Sequence, residues 1–332
     1  MAKVCVILPV YNGQEFILES VQSVLKQTYK DFVLYVIDDG STDKSLQCLD
    51  QIKDQRLKVV ENGTNKGLIH TLNRGLELAQ SAEYIARMDA DDITHPNRLG
   101  LQVQLLDEMK AVGVVGTRAN IFGNGLNERK LKVPEREDRI LPAFICRNPI
   151  IHPSVMMRGS VIFNAQLRYD SSFPKYEDYK LWIDMFNICG FYNMPQYLLN
   201  YRRHSGNVTA AANYKLAEDK ALFLRLLTEY AGKFDAIFDE TELECLAIIS
   251  STYRWQLNTR LTVDEIYRSI ITVLYKHQDL RIDKKYLGSF LLERALVYLV
   301  KCKRYNDLIK LVGMVNVKMN YIHVARIRAN MF

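Results

Sequence analysis

Four short apolar runs, each closed by polar residues and followed by helical periodicity, limit what this chain can fold into. Val4 to Leu8 runs into Pro9, and Phe16, Ile17, Ser20, Val21, Val24 and Leu25 then recur at helical spacing. Phe32 to Ile37 ends in Asp38-Asp39-Gly40-Ser41-Thr42-Asp43, before a helical segment from Ser45 to Ile52. Leu57 to Val60 closes at Asn62-Gly63 and precedes a helix over Leu68 to Ala79. Tyr84 to Met88 closes at Asp89-Ala90-Asp91-Asp92 and precedes a helix over Pro96 to Met109. The unbroken apolar run from Val4 to Leu8 is the pattern of a buried parallel strand. The alternation of the four runs with helices predicts an α/β fold whose doubly wound, mostly parallel sheet carries helices on both faces. In such sheets ligands bind beyond the carboxyl ends of the strands. The polar clusters after runs one, two and four are therefore expected at one edge.

Residues 113–175 are less regular, with Gly, Pro and short strand-like pieces. Tyr176 to Ile188 reads as a helix, and Tyr197 to His204 as a strand followed by a loop. Beyond about residue 210 Gly and Pro nearly vanish and helical periodicity continues to the end. This predicts an α/β domain over 1–212 and a helical C-terminal region over 213–332.

The 332 residues are 48% hydrophobic and 25% charged, which supplies a full core and excludes a disordered chain. The six cysteines (Cys5, Cys48, Cys146, Cys189, Cys245 and Cys302) are scattered without a CxxC pair, which argues against a zinc site. Several lie in apolar runs as buried thiols, and a reducing cytoplasm fits them. No signal segment and no bilayer-spanning apolar stretch is evident, so a soluble or surface-bound protein is expected. From Arg281 onward there are eleven Lys/Arg against three Asp/Glu, a net of +8 that leaves −2 of the total +6 for the rest. Such a tail is either a solvated helical face or a contact for an anionic surface, membrane or nucleic acid. Aromatic residues there are spaced as a helical core rather than a stacking platform, so nucleic acid is not expected.

Asp89 and Asp91, one residue apart just past a buried strand, can grip a hard divalent cation, with diphosphate oxygens completing its shell. The plainer reading is an acidic turn with Asp92 capping the next helix. Asp38-Asp39 follows its strand in the same way and can accept from a base edge or serve a turn. Tyr11 can pack on a planar base, and Asn12 can cap the following helix. Asn65-Lys66-Gly67 and Asn73-Arg74-Gly75 bring polar and cationic groups to a helix start, where phosphate is favoured. Asp178, Trp182 and Met185 share one helix face at i, i+4, i+7 spacing. Asp178 is thus a general base beside an aromatic platform, or a carboxylate favoured by the helix dipole. His152 and the Arg202-Arg203-His204 group offer cationic or metal-binding side chains.

Read in order, these segments resemble the inverting family-2 glycosyltransferases with the GT-A fold. The resemblance rests on Val6-Ile7-Leu8-Pro9-Val10-Tyr11-Asn12, Ile37-Asp38-Asp39-Gly40-Ser41-Thr42-Asp43, Asn65-Lys66-Gly67 and Ala86-Arg87-Met88-Asp89-Ala90-Asp91-Asp92. It continues through His152-Pro153-Ser154-Val155-Met156, Tyr176-Glu177-Asp178-Tyr179-Lys180-Leu181-Trp182 and Tyr201-Arg202-Arg203-His204. It implies that Asp39 binds uracil in a pocket lined by Pro9 and Tyr11, with Lys66 and Gly67 also on the nucleotide. Asp89 lies near ribose and metal, Asp91 ligates Mn²⁺ or Mg²⁺, and His204 holds metal or diphosphate. Glu177 and Asp178 are the catalytic carboxylates, Asp178 being the base. Many relatives carry Arg where this chain has Leu72, so Lys66 or Arg87 is left to supply that charge. The implied partners are a UDP-sugar donor and a lipid-linked saccharide acceptor in surface-polysaccharide synthesis. The implied place is the inner face of the cytoplasmic membrane.

Two other classes stay open. A sugar-phosphate nucleotidyltransferase should show a Gly-rich loop after its first strand, which Tyr11-Asn12-Gly13 matches poorly. A catalytically silent nucleotide-sugar-binding scaffold would have no use for a base such as Asp178.

Overall fold

The computed structural model describes residues 2–123, 128–204, 216–250 and 261–315. The chain forms two compact units, residues 1–140 with 149–212, and residues 141–148 with 213–332.

The first unit opens with four parallel strands, β1 (Val4–Val10), β2 (Phe32–Asp38), β3 (Leu57–Glu61) and β4 (Tyr84–Arg87). Every residue of β1 and β4 is buried, as the apolar run of β1 requires, and Arg87 at the end of β4 is a buried charge. The links contain α1 (Ile17–Leu25), α2 (Ser45–Asp50) and α3 (Leu68–Leu78). The register pairs Val10 with Asp38 and Asp38 with Glu61, which brings the carboxyl ends of β1, β2 and β3 level.

Beyond β4 come β5 (Ile93–Thr94), α4 (Arg98–Glu108), β6 (Val112–Phe122), β7 (Arg129–Leu131) and α5 (Glu137–Ala143). A short 3₁₀ turn over His152–Ser154 leads to β8 (Met156–Arg158), α6 (Gly159–Asn164), α7 (Glu177–Met185) and β9 (Gly190–Arg202). The sheet order among the described residues is β3-β2-β1-β4-β8-β6-β9-β5, with β7 on β6. Parallel pairing ends at β4: β8 runs antiparallel to both β4 and β6, while β6 and β9 are parallel.

The long strand β6 falls where the sequence reads as irregular, and of β9 only the second half, from Tyr197, reads as a strand. Two features broke the pattern. Pro195 and Gln196 lie between the pairs Met194–Thr117 and Tyr197–Arg118, so β9 bulges there, where proline has no N–H to give the ladder. Gly116 lies so close to Asn193 that a Cβ would stand 2.3 Å from its Oδ1.

The second unit is helical, with α8 (Leu216–Gly232), α9 (Glu240–Ser250), α10 (Val263–Lys276), α11 (Lys284–Lys301) and α12 (Tyr305–Val315). Thr262 and Glu265 close a reciprocal capping box at the start of α10. Leu246, Ile266, Ile270, Leu287, Leu291 and Leu299 are fully buried in this unit. The tail residues Lys318, Arg326 and Arg328 lie outside the described residues. Of the tail's other cations, Arg281, Arg304 and Lys310 pair with Asp279, Asp307 and Asp264. Arg294 donates to the carbonyls of Ile249 and Ser250. Among the described residues no helix is long and apolar enough to cross a membrane.

Candidate active site

Three polar clusters meet at the carboxyl edge of β1, β2 and β4. Asp38 Oδ2 accepts the Gly40 and Ser41 N–H groups at 3.0 and 2.9 Å, turning the chain sharply after β2. The turn leaves Asp39 buried and aimed at the β3–α3 loop. Its carboxylate accepts from Asn62 Nδ2 at 2.8 Å and from the N–H groups of Lys66 and Gly67 at 3.0 and 2.8 Å. Lys66 and Gly67 therefore meet Asp39 through their backbones, while the Lys66 side chain lines an open groove with His70, Asn73, Arg74 and Glu77. Asn12 does not cap α1, whose N-cap is Phe16; its Oδ1 accepts the Thr42 N–H at 2.8 Å and laces the β1 and β2 loops together. Tyr11 beside it is 48% exposed, an open aromatic face next to Pro9 at the edge of the sheet.

Leu72 lies in the core, so the helix turn where relatives carry Arg offers no cation here. Arg74 instead donates to the Glu61 carbonyl and to Asn62 Oδ1, behind Asp39.

After β4 the carboxylates of Asp89, Asp91 and Asp92 each place an oxygen within 4.8 Å of the others. Burial raises the pKa of Asp89 and pushes that of Asp92 well up, and the neighbouring carboxylates add to both. Asp89 is 27% exposed at its side chain yet densely surrounded on its inner sides, and it pairs with the buried Arg87. Burial works against the Arg87 charge, but Asp89 outweighs it and holds the guanidinium above its usual range. Asp92 is not a helix cap: α4 starts at Arg98 behind Asn97, and Asp92 Oδ1 accepts the Arg202 N–H at 2.8 Å. Its Oδ2 is buried without a hydrogen-bond partner among the described residues. Crowded carboxylates with an orphaned buried oxygen fit a hard divalent cation, which would relieve their repulsion. His204 completes the group, with Nε2 2.9 Å from Asp91 Oδ2.

The second acidic group opens α7. Asp178 sits in its first turn, and Trp182 and Met185 on the same face are fully buried. Asp178 Oδ1 takes the Tyr179 N–H at 2.6 Å. Glu177 is buried, and burial raises its pKa. The two acidic groups share one electrostatic environment. Tyr169, buried and with its pKa raised by burial, also feels Arg87, Asp178, Glu177 and Asp89. Glu177 feels Arg87 and Asp89.

His152 is neither cationic nor in the carboxylate cluster. It is buried, and burial followed by the Arg87 charge holds its pKa well below the usual imidazole value. Its ring meets Tyr169 Oη at 2.9 Å through Nε2.

Arg98, Tyr169 and Asn62 escaped the sequence reading, which holds Arg202 only as a cation beside His204. Arg98 is buried, donates to the Arg87 and Pro153 carbonyls at 2.9 and 2.8 Å, and is lowered to about 10 by burial. Its signal was faint: an Arg whose helical neighbours Leu99, Gln102, Val103 and Leu106 all face inward. Arg202 has its guanidinium between the Phe16 and Phe122 rings, 4.6 and 4.5 Å from their centroids, and donates to the Asp91 carbonyl at 2.7 Å. Tyr169 and Asn62 carry no pattern of their own and depend wholly on tertiary contacts.

The sequence model described as "Glycosyl transferase family 2" matches residues 5–162. An uncharacterised glycosyltransferase of Haemophilus influenzae is 34% identical over 242 residues, 69% of this chain and 75% of that protein. The O-antigen biosynthesis glycosyltransferase WbnJ of Escherichia coli is 32% identical over 230 residues, 64% of this chain and 85% of that protein. Among solved structures, S. aureus TarS 1–349 in complex with UDP-GlcNAc superposes with a TM-score of 0.61 at 17% identity, covering 92% of this chain and 89% of that one.

Proposed function

The chain belongs to glycosyltransferase family 2, and from that premise we propose that it transfers a sugar from a UDP-sugar to an acceptor hydroxyl with inversion at the anomeric carbon. Its α/β unit has the GT-A architecture, followed by C-terminal helices. The observation that carries the proposal is that two acidic groups gather around buried Arg87: Asp89 pairs with it beside Asp91, and its charge reaches Glu177, next to Asp178. One group suits a metal–diphosphate, the other a proton acceptor.

Uracil lies against Tyr11 and Pro9 with its N–H toward Asp39, whose carboxylate the Asn62, Lys66 and Gly67 donors hold in place. Asp91, Asp89 and His204 would hold Mn²⁺ or Mg²⁺, with Asp92 closing the cluster from behind. The bound ion would neutralise the departing diphosphate. Asp178 accepts the proton of the acceptor hydroxyl as that oxygen attacks the anomeric carbon opposite the leaving group. An α-linked donor then yields a β-linked product. Glu177, buried beside Asp178, is the second carboxylate of this group. UDP-GlcNAc in TarS supports a UDP-sugar donor, and the likeness to the O-antigen biosynthesis enzyme WbnJ supports an acceptor in surface-polysaccharide synthesis, which we take to be a lipid-linked saccharide.

The site belongs in residues 1–212, with 213–332 as a helical accessory region. Much of that region's positive charge is neutralised locally. Its exposed Lys303 with the outward Tyr305, Ile309 and Val312 of α12 still suits an anionic membrane surface at the inner face. Sedimentation with anionic vesicles at low salt tests this, and full-length protein left in the supernatant would refute it.

The test of the chemistry is a panel of UDP-sugars with Mn²⁺, following release of UDP. Hydrolysis of one donor that disappears with EDTA and in Asp91→Ala is the expected result. No hydrolysis of any donor, together with no metal-dependent UDP binding, would overturn it.

A further inference from the structure

His152 lies beside the acidic group that opens α7, within the influence of the Arg87 charge. Its Nε2 lies 2.9 Å from Tyr169 Oη, and its Nδ1 lies 4.0 Å from Asp178 Oδ2. The ring is only 7% exposed and meets Trp182 edge-on, with centroids 6.0 Å apart. Tyr169 is itself anchored. Asn73 of α3 donates to the Tyr169 carbonyl and accepts its N–H, both at 2.9 Å. The 3₁₀ turn carrying His152 is pinned as well, since Arg98 donates to the Pro153 carbonyl and Ser154 Oγ donates to the Ile151 carbonyl at 2.7 Å.

A buried imidazole fixed on one side and facing a carboxylate on the other has one useful arrangement. Burial and the nearby Arg87 keep it neutral, so it holds a single ring proton. With the phenol of Tyr169 donating to Nε2, that proton sits on Nδ1 and points toward Asp178. The gap of 4.0 Å is too long for a hydrogen bond, and closing it takes about 1 Å of side-chain movement.

We propose that His152 is the positioning residue for Asp178: its Nδ1–H, held by Tyr169, steers the Asp178 carboxylate into the orientation that receives the acceptor proton. This rests on the reading of Asp178 as the base. Oδ2 of Asp178 is the oxygen that His152 directs, being the one that faces Nδ1 at 4.0 Å, while Oδ1 takes the Tyr179 N–H. A neutral donor suits the task because it orients the carboxylate without the full charge that would lower its basicity.

Two substitutions separate this role from simple packing. The side-chain amide of Asn reaches the place of Nδ1, and that of Gln the place of Nε2. His152→Asn keeps a donor toward Asp178 and loses Tyr169, whereas His152→Gln keeps Tyr169 and loses Asp178. Steady-state UDP release from the hydrolysed UDP-sugar is measured for both, with UDP affinity and thermal unfolding as controls on the fold. We expect kcat to fall about 10–100-fold in His152→Gln and far less in His152→Asn, with KM for the donor unchanged in both. Equal losses, or a greater loss in His152→Asn, would overturn the positioning role. Asp178→Asn is run in parallel: if it keeps wild-type turnover, the base reading fails first, whatever the His152 variants do. The tautomer gives a readout that needs no turnover. The ¹⁵N resonances of the imidazoles, with His152 assigned by its absence in His152→Asn, should show Nδ1 protonated and Nε2 accepting. A proton on Nε2 would refute the inference even where hydrolysis is too slow to follow.

Discussion

His204 Nε2 stands 2.9 Å from Asp91 Oδ2, and the imidazole rests against the Phe16 ring with centroids 4.7 Å apart. The two residues are 113 positions apart in sequence, and β9 closes the distance by running back past β5. Asp91 and His204 thus form one edge of the carboxylate cluster, and the neighbouring Arg202 fastens that edge to the Asp91 carbonyl and the Asp92 carboxylate.

From this pairing, His204→Ala is expected to weaken Mn²⁺ binding about 10–100-fold in the presence of UDP, as loss of a ligand-orienting group does. Asp91→Ala should abolish metal-dependent UDP binding. Calorimetric titration of Mn²⁺ into the UDP-bound protein reads both. Unchanged affinity in His204→Ala would remove it from the metal site.

Asp178→Asn removes the proton acceptor while preserving shape. Turnover should fall by about 10²–10⁴-fold, with UDP affinity within error of the parent protein. A fall in UDP affinity of similar size would instead assign Asp178 to donor binding.

Gly40 has φ +74°, and a Cβ there would stand 2.6 Å from the Thr64 carbonyl carbon. Gly40→Ala must therefore move the turn that aims Asp39 at the Lys66 and Gly67 N–H groups. The expected cost is about 1–3 kcal/mol of stability, with weakened UDP binding. Urea unfolding monitors the first and titration of UDP the second. An Ala variant with an unshifted midpoint would contradict the close approach.

His277 is fully buried in the helical unit, stacked on Phe234 at 3.9 Å, with Nε2 3.1 Å from Tyr230 Oη. Burial lowers its pKa from 6.5 to about 4, against the pull of Asp279 and with the help of Lys284 and Arg281. The unfolded chain then binds the extra proton between these values. The stabilisation is full above pH 6.5 and is lost as pH falls toward 4, amounting to about 3 kcal/mol. Unfolding of the full chain followed from pH 7 to 4 should show this slope. His277→Gln should flatten it, and an identical slope in that variant would rule His277 out as the cause.

Residues near one another in the chain were largely readable. The strands β1 to β4 and the helices α1 to α4 follow from strand-like runs and helical spacing, with β1 apolar throughout because it is buried on both faces, whereas the two-residue β5 carries no such signal. Asp39, Asp89 and Asp91 could be singled out because each follows one of the four parallel strands, and the parallel register brings those ends to one edge. The strand β6 and the first half of β9 were not readable, since Gly116 and Pro195 answer to contacts made across the sheet.

The sequence by itself determined the alternation of strands and helices, the acidic strand ends and the carboxylates opening α7. Tertiary structure alone decided which groups face them. His152 became neutral because it was buried near Arg87, Asp92 became a partner of the Arg202 backbone rather than a cap, and Tyr169 became a link because Asn73 holds its backbone. Protonation and hydrogen bonding depend on distance and burial in three dimensions, and periodicity records only which face of an element is turned inward.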